Sequence, residues 1–174
     1  MADPPPINPR LAARPTDPSR RLPIPHVQLV NPDGTANFAA IDGPKALRAA
    51  ATRDCGLCGQ RMGRWVAFLG GPRNVQHGGY LDPPMHVSCA EDATRLCPHL
   101  ARQKVPRRPD GGDPTIITPP GFVEAKPDRW AMWITDSYTW RINAGTGTYV
   151  FLPGPPRQIR WWHYVDGRLA EQTP

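Results

Sequence analysis

Two short pairs of cysteine and histidine residues constrain the fold of this chain more than any other feature. Cys55 and Cys58 form a CxxC motif with Gly59 directly after it, and His86 and Cys89 form an HxxC motif farther along the chain. Two thiolates at CxxC spacing can bind one tetrahedral ion across a tight turn, and a glycine tolerates the positive φ that such a turn requires. Residues i and i+3 share one face of a helical turn, so the imidazole and the third thiolate can converge on the same ion.

This pattern predicts one structural Zn²⁺ ion held by Cys55, Cys58, His86 and Cys89. Three cysteines and one histidine are among the usual ligand sets of closed structural zinc sites. Four protein ligands leave no open coordination position for a water molecule or a substrate, which a catalytic zinc ion requires. We therefore expect the ion to contribute to folding, where structural zinc supplies on the order of 10–16 kcal/mol of apparent binding free energy.

A fourth cysteine, Cys97, leaves a second ligand set open. On a continuous helix it would lie about 12 Å beyond Cys89 along the axis. Zinc–sulfur bonds are only ~2.3 Å long, so both thiolates cannot bind one ion unless the helix breaks. The prediction is a buried structural thiol at Cys97, and the leading alternative is a Cys₄ site in which Cys97 replaces His86. Free thiols without a metal and a redox-active CxxC are the remaining alternatives.

The residues around these motifs resemble a family of small, uncharacterised zinc-finger-like proteins of actinobacteria and their phages. The similarity is carried by the runs CGLCG (55–59), WVAFLGGPR (65–73) and DPPMHVSCA (82–90) and by Cys97-Pro98. It extends to Trp161-Trp162 and Gly167-Arg168 and covers residues 20–170. The resemblance implies a genuine metal site, but it transfers no functional residue beyond the four ligands.

The distribution of prolines and of β-forming residues divides the chain into four parts. Nine prolines stand within residues 1–35, and each removes an N–H donor and restricts the residue before it. We therefore predict an extended, largely disordered arm over 1–35, pinned near its end by Val27, Leu29 and Val30. A treble-clef-like zinc module (36–102), a flexible linker (103–115) and a tryptophan-rich antiparallel β-meander (116–170) follow.

The predicted fold class is α+β. In the zinc module we expect a strand over Asn37–Ile41, a helix capped by Asp42, a strand over Arg64–Leu69, a loop over 72–85 and a helix over Val87–Leu96. In the meander, short runs of aromatic and β-branched residues separated by turn signals predict four strands. These strands are Trp130–Thr135, Tyr138–Ile142, Thr148–Leu152 and Ile159–Val165.

Charge and composition indicate the class of partner and exclude a membrane protein. The net charge is +6, and residues 55–110 carry 8 basic and 4 acidic side chains. A basic patch attracts phosphate backbones, although a solvated face is the commoner outcome. No run approaches the ~18 apolar residues of a membrane span. The N-terminus lacks the features of a secretory signal, so the expected location is the cytoplasm, where cysteines serve as metal ligands or free thiols.

The predicted function is that of a non-enzymatic zinc-binding adaptor without catalytic or cofactor-binding residues. It would present its basic zinc face or its Trp-rich sheet to a macromolecule, with a protein favoured and a nucleic acid as the other choice. Trp161 and Trp162 must point to opposite faces of a strand, so one should fill the core. The alternative is a DNA-binding protein or a degenerate HNH-like nuclease with His77 as its catalytic residue. The Asp-His or His-His dipeptide of such nucleases is absent.

Overall fold

The chain forms helices and antiparallel strands over residues 6–103 and 126–173, which are the residues that the computed structural model describes. The helices are α1 (Pro9–Ala12), α2 (Gly43–Thr52), α3 (Pro72–His77), α4 (Val87–Leu96) and α5 (Pro98–Ala101). The strands are β1 (Gln28–Val30), β2 (Ala36–Ile41), β3 (Val66–Gly70), β4 (Arg129–Thr135), β5 (Tyr138–Ile142), β6 (Tyr149–Pro153), β7 (Gln158–Val165) and β8 (Arg168–Glu171). This mixture confirms the α+β class. All but the first residue of the predicted linker, and the first ten residues of the predicted meander, lie outside the described residues.

The largest sheet combines a strand of the predicted zinc module with strands of the predicted meander. Its order is β3-β4-β7-β8, and every neighbouring pair is antiparallel. The four strands predicted after residue 129 are present, but the prediction that they form one meander is wrong. Strand β4 pairs with β3 on one side and with β7 on the other, so neither edge of β4 is free for β5. Strand β5 instead pairs with β6 in a separate sheet.

Strand β3 lies at the centre of the core because all five of its residues are buried. The Phe68 ring lies 5.2 Å from the Tyr80 ring and 5.9 Å from the Tyr138 ring, measured between centroids. Tyr138 belongs to β5, and its hydroxyl donates a hydrogen bond to the carbonyl of Ala50 in α2. The aromatic contacts of Phe68 therefore join the large sheet, the β5–β6 hairpin and helix α2.

Helix α2 forms where the sequence predicts it. The Asp42 side chain accepts a hydrogen bond from the Lys45 N–H at 2.9 Å, which satisfies one of the free donors of the first turn. The helix ends at Arg53, whose φ of 61° is left-handed. The Arg53 guanidinium donates to the carbonyls of Gly63 and Arg64, so it ties the helix end to the chain that enters β3.

The N-terminal segment is not confirmed as a disordered arm over residues 6–35. Asn8 caps the short helix α1, Pro9 occupies its first position, and Leu11 is buried in the core. A proline at the first helical position removes a donor that has no intrahelical partner anyway, which is why α1 tolerates it. Val27 is buried as predicted, whereas Leu29 and Val30 of β1 are exposed.

The Asp17 side chain accepts hydrogen bonds from several backbone N–H groups in and near this proline-rich segment. Its buried carboxylate accepts hydrogen bonds from the N–H groups of Ser19, Arg20 and Ala36 and from the Ser19 hydroxyl. These bonds, the one from the Ala36 N–H foremost, lower the pKa of Asp17 to about 2. The carboxylate thus joins residues 17–20 to the start of β2 in its charged form.

We expect the Asp17 carboxylate to make stability depend on pH between about pH 4 and pH 2. Because its pKa is lower in the folded chain, its contribution is present above the unfolded pKa and is lost as the pH falls through the folded one. Urea unfolding of wild type and Asp17→Asn should therefore show a constant difference in midpoint above pH 4 that shrinks towards pH 2. A difference that does not change with pH would contradict a charged Asp17.

Candidate metal centre

The CxxC motif forms a tight turn. The Gly59 N–H donates to the Cys55 carbonyl at 2.8 Å, and the Cys55 N–H donates to the Gln60 carbonyl at 2.9 Å. Gly59 has a φ of +76°, which side chains rarely allow, and a Cβ there would lie 2.7 Å from Nδ1 of His26. Glycine after the second cysteine is therefore required both by the backbone conformation and by the imidazole packed against it.

The second ligand pair stands at the beginning of helix α4. His86 is the N-cap residue of the helix, and its carbonyl accepts a hydrogen bond from the Ala90 N–H at 2.9 Å. Cys89 follows in the first turn, as the HxxC spacing predicts. The two pairs also contact each other through the backbone, because the His86 N–H donates to Sγ of Cys55 at 3.3 Å.

The four predicted ligands come together in one buried cluster. Their ligand atoms all lie within 4.8 Å of one another. Nδ1 of His86 lies 3.3 Å from Sγ of Cys58 and 3.9 Å from Sγ of Cys89. Bond lengths of ~2.3 Å to sulfur and ~2.0 Å to nitrogen place the ligand atoms of one tetrahedral ion about 3.5–3.8 Å apart. The cluster therefore has the dimensions of a site for one metal ion.

The His86 ring is oriented by a second contact. Nε2 lies 3.2 Å from the carbonyl oxygen of Arg61, while Nδ1 faces the thiols. A metal-binding histidine usually donates its other ring N–H to a carbonyl or carboxylate, which fixes its tautomer and orientation. Arg61 follows the CxxC turn closely, so one local segment supplies two thiols and the acceptor that positions the imidazole.

The cluster is shielded from solvent. Cys55 and Cys89 are 0% exposed, Cys58 is 5% exposed and His86 is 9% exposed. The hydrogen bond to the Cys55 thiol, followed by burial, raises the pKa of Cys58. Burial lowers the pKa of His86, although the Arg61 carbonyl opposes this shift. Both shifts favour the uncharged forms of Cys58 and His86, and a bound cation would displace the Cys58 proton.

The remaining candidate residues lie outside this cluster. Helix α4 ends at Leu96, and Cys97 adopts an extended conformation between α4 and α5, where it is half-buried. Burial raises the pKa of Cys97. Among the described residues, only the four predicted ligands form a cluster of three or more metal-ligating side chains. The alternative Cys₄ set with Cys97 in place of His86 is thus not assembled.

The positions of His77 and of the paired tryptophans bear on the functions that the sequence predicts for them. His77 is the last residue of the short helix α3 and is exposed, in a segment predicted as a loop. Trp162 is buried and Trp161 is half-buried on the opposite face of β7, which confirms that one of them fills the core. The Arg129 guanidinium stacks 4.5 Å above the Trp161 ring.

The N-terminal segment packs against both halves of the metal centre, which the sequence did not reveal. The Asn8 N–H donates to the Asp92 carboxylate at 2.7 Å, and the Asn8 amide donates to the Ser88 hydroxyl. Near the other half, the backbone N–H of His26 donates to the Leu57 carbonyl at 2.8 Å. These contacts join residues that are distant in sequence, so no local sequence pattern predicts them. Buried Leu11 and Ile24 are the local hints, because both are large apolar residues in a proline-rich segment.

The arrangement around the ligands only partly matches a treble clef. A CxxC turn precedes a ligand pair at a helix N-terminus, as in that motif. The expected β-hairpin between them is reduced to β3 and a single bridge between Ala67 and Met85, because β3 pairs with β4 instead.

Comparisons with protein-family models, curated proteins and solved structures found no significant match to the chain.

Proposed function

We propose that this chain is a non-enzymatic zinc-binding protein whose Cys₃His site stabilises the fold that presents its surface to a macromolecule. The observation that carries the proposal is the buried cluster of Cys55, Cys58, His86 and Cys89. Three thiolates and one imidazole favour Zn²⁺ over Mg²⁺ or Ca²⁺, which prefer oxygen ligands. The turn followed by a helix N-terminus supports the treble-clef-like description of this site.

The geometry favours a structural role over a catalytic one. All four ligands come from the protein and are almost inaccessible to solvent, so a substrate would have to displace a ligand to reach the ion. The site connects the turn at 55–59, helix α4 and, through the Ala67–Met85 bridge, strand β3. The resemblance to zinc-finger-like proteins of actinobacteria and their phages stays a prediction that agrees with this role, as does a cytoplasmic location.

Cobalt substitution tests the ligand set directly. Protein refolded with one equivalent of Co²⁺ should show intense thiolate-to-metal charge-transfer bands and the visible bands of a tetrahedral ion, because three sulfurs bind it. Zn²⁺ should displace the cobalt and bleach both sets of bands. Spectra of a six-coordinate ion without thiolate bands would contradict the proposal, since the site would then be neither closed nor sulfur-rich.

The nuclease alternative predicts an activity that the proposed function excludes. We expect no nicking of supercoiled plasmid by the zinc-loaded protein with Mg²⁺ or Mn²⁺, at any protein concentration that leaves the plasmid in solution. His77→Ala is the matched control, because His77 is exposed and stands outside the metal cluster. Metal-dependent nicking that disappears in His77→Ala would overturn the non-enzymatic assignment.

A further inference from the structure

Hydrogen bonds at both ends of the β5–β6 hairpin establish which residues of β5 face its outer side. The Gly154 N–H donates to the Ser137 carbonyl at 2.7 Å, and the Asn143 N–H donates to the Thr148 carbonyl at 2.8 Å. Backbone groups alternate in direction along an antiparallel strand, so those of every second residue of β5 point outward, away from β6. We call these outward residues the β5 edge: Tyr138, Trp140 and Ile142.

The backbone groups of the β5 edge are unpaired, whereas three other strands have a bridge on their outer side. These bridges join Ala67 of β3 to Met85, Phe151 of β6 to Tyr80, and Arg168 of β8 to Arg102. Within the part of the chain that the structure describes, no bridge covers β5, and its outward N–H and C=O groups make no hydrogen bond. Unpaired groups along an edge are a template for pairing with another strand.

The side chains of the β5 edge are apolar and become more exposed along the strand. They share one face of the hairpin with buried Phe151, which is paired with Trp140. Tyr138 is half-buried, Trp140 is 40% exposed and Ile142 is 60% exposed. Aromatic and β-branched side chains stabilise a sheet through contacts with the neighbouring strand. Strand β5 therefore has both the backbone groups and the side chains that a further strand would contact.

We propose that the β5 edge pairs with the β5 edge of a second copy of this chain. The pairing is antiparallel and centred on Trp140, so Trp140 faces Trp140 of the second copy and Tyr138 faces Ile142. Each facing pair exchanges two backbone hydrogen bonds, and the two-fold axis limits the assembly to two chains. None of the four metal ligands belongs to the hairpin, so this interaction goes beyond the proposed function and does not rest on it.

The sequence of β5 matches itself in this register in both hydrogen bonding and charge. Every outward residue has a facing outward residue, and Arg141 faces Thr139 of the second copy. A shift of two residues in either direction leaves one outward residue of each strand without a partner. One of these shifts also places Arg141 opposite itself, and like charges directly opposite each other destabilise a sheet. This self-complementarity is the reason for choosing a second copy over a different protein.

The interface of this dimer is small. Each copy contributes one strand of five residues, so the buried area belongs to the class below ~1,200 Å² that is typical of weak, transient complexes. We expect a dissociation constant above about 10 µM. The chain is therefore monomeric at the lower concentrations at which unfolding is followed.

Sedimentation equilibrium of the purified chain between about 10 µM and ~1 mM tests the proposal. In about 0.3 M salt, which screens the net charge of +6, the mean mass should rise towards two chains and no further. Trp140→Asp and Trp140→Lys should each weaken association by about tenfold or more, because each places like charges opposite each other at the two-fold axis. An equimolar mixture of the two variants should associate again, since a carboxylate then faces an ammonium group.

Val165→Asp is the matched control for Trp140→Asp. It introduces the same charge at a 47% exposed apolar residue of β7, and it should dimerise as the wild type does. The proposal would be overturned by a wild type that stays monomeric up to ~1 mM, which would leave the edge to a different protein. Growth beyond two chains, or a mixture of the Trp140 variants that associates no better than each alone, would also overturn it.

Amide exchange measured residue by residue tests the backbone pairing itself. The N–H groups of Trp140 and Ile142 should exchange rapidly in dilute protein and become protected as the dimer forms. Those of Thr139 and Arg141 point to β6, so they should be protected at both concentrations and serve as the internal control. Association without added protection of Trp140 and Ile142 would show that the copies meet elsewhere and would contradict the proposal.

Discussion

Alanine at Cys89 should abolish zinc binding and the cooperative unfolding transition together. Cys89 is fully buried and connects the first turn of α4 to the thiols of the CxxC turn. Structural zinc supplies on the order of 10–16 kcal/mol of apparent binding free energy, whereas a whole domain is stable by about 5–15 kcal/mol. Loss of one ligand therefore removes an amount of stabilisation comparable with the entire stability of the fold. Zinc quantitation and urea unfolding followed by circular dichroism measure the two effects.

Cys97→Ala is the control for Cys89→Ala. It removes the same atom from a half-buried thiol outside the cluster, so it should retain one zinc ion per chain and a cooperative transition. We expect only the modest destabilisation of a small buried group. If Cys97→Ala instead released the metal and His86→Ala retained it, the Cys₄ alternative would be correct and the ligand set given above would be wrong.

Alanine at Phe68 should destabilise the protein by about 3–5 kcal/mol, the range typical of a buried phenylalanine. Phe68 is completely buried in β3, and its ring contacts Tyr80 and Tyr138. The loss should appear as a lower urea midpoint in both tryptophan fluorescence, which reports mainly on the strands beyond residue 129, and far-ultraviolet circular dichroism. Coincident shifts are expected because β3 pairs with β4 and so belongs to the same sheet.

Two control measurements make the Phe68 prediction specific. Ile142→Ala removes an apolar side chain that is 60% exposed, so it should change stability by no more than about 0.5 kcal/mol. Phe68→Ala should still bind one zinc ion without denaturant, because the ring is not one of the four ligands. A loss below about 1 kcal/mol, or a shift seen by one probe alone, would show that β3 does not join the two regions.

The elements that the sequence predicts correctly are those whose signals are local. Asp42 and Pro44 mark the beginning of α2, and the ligand spacing of His86 and Cys89 places them in one helical turn. The cluster itself was predictable for the same reason. Two chelating pairs, each with its own local geometry, need only one tertiary contact to form a tetrahedral set.

The elements that the sequence misses depend on contacts between distant residues. Strand β3 has no local signal for its partner, so its pairing with β4 and the separate β5–β6 hairpin could not be derived from periodicity. Prolines in residues 6–35 predict disorder, but Asn8, Asp17 and Leu11 supply a cap, a cluster of hydrogen bonds and a core contact. Such side-chain acceptors replace the backbone ladder that prolines prevent.

The amount of zinc in protein purified without chelators tests the central claim most directly. Elemental analysis should find one zinc ion per chain, and its removal by a strong chelator should be accompanied by loss of the far-ultraviolet signal of the folded state. Readdition of Zn²⁺ should restore that signal. A chain that is free of metal as purified and yet unfolds cooperatively, with Cys55, Cys58 and Cys89 reactive as thiols only after unfolding, would contradict the account.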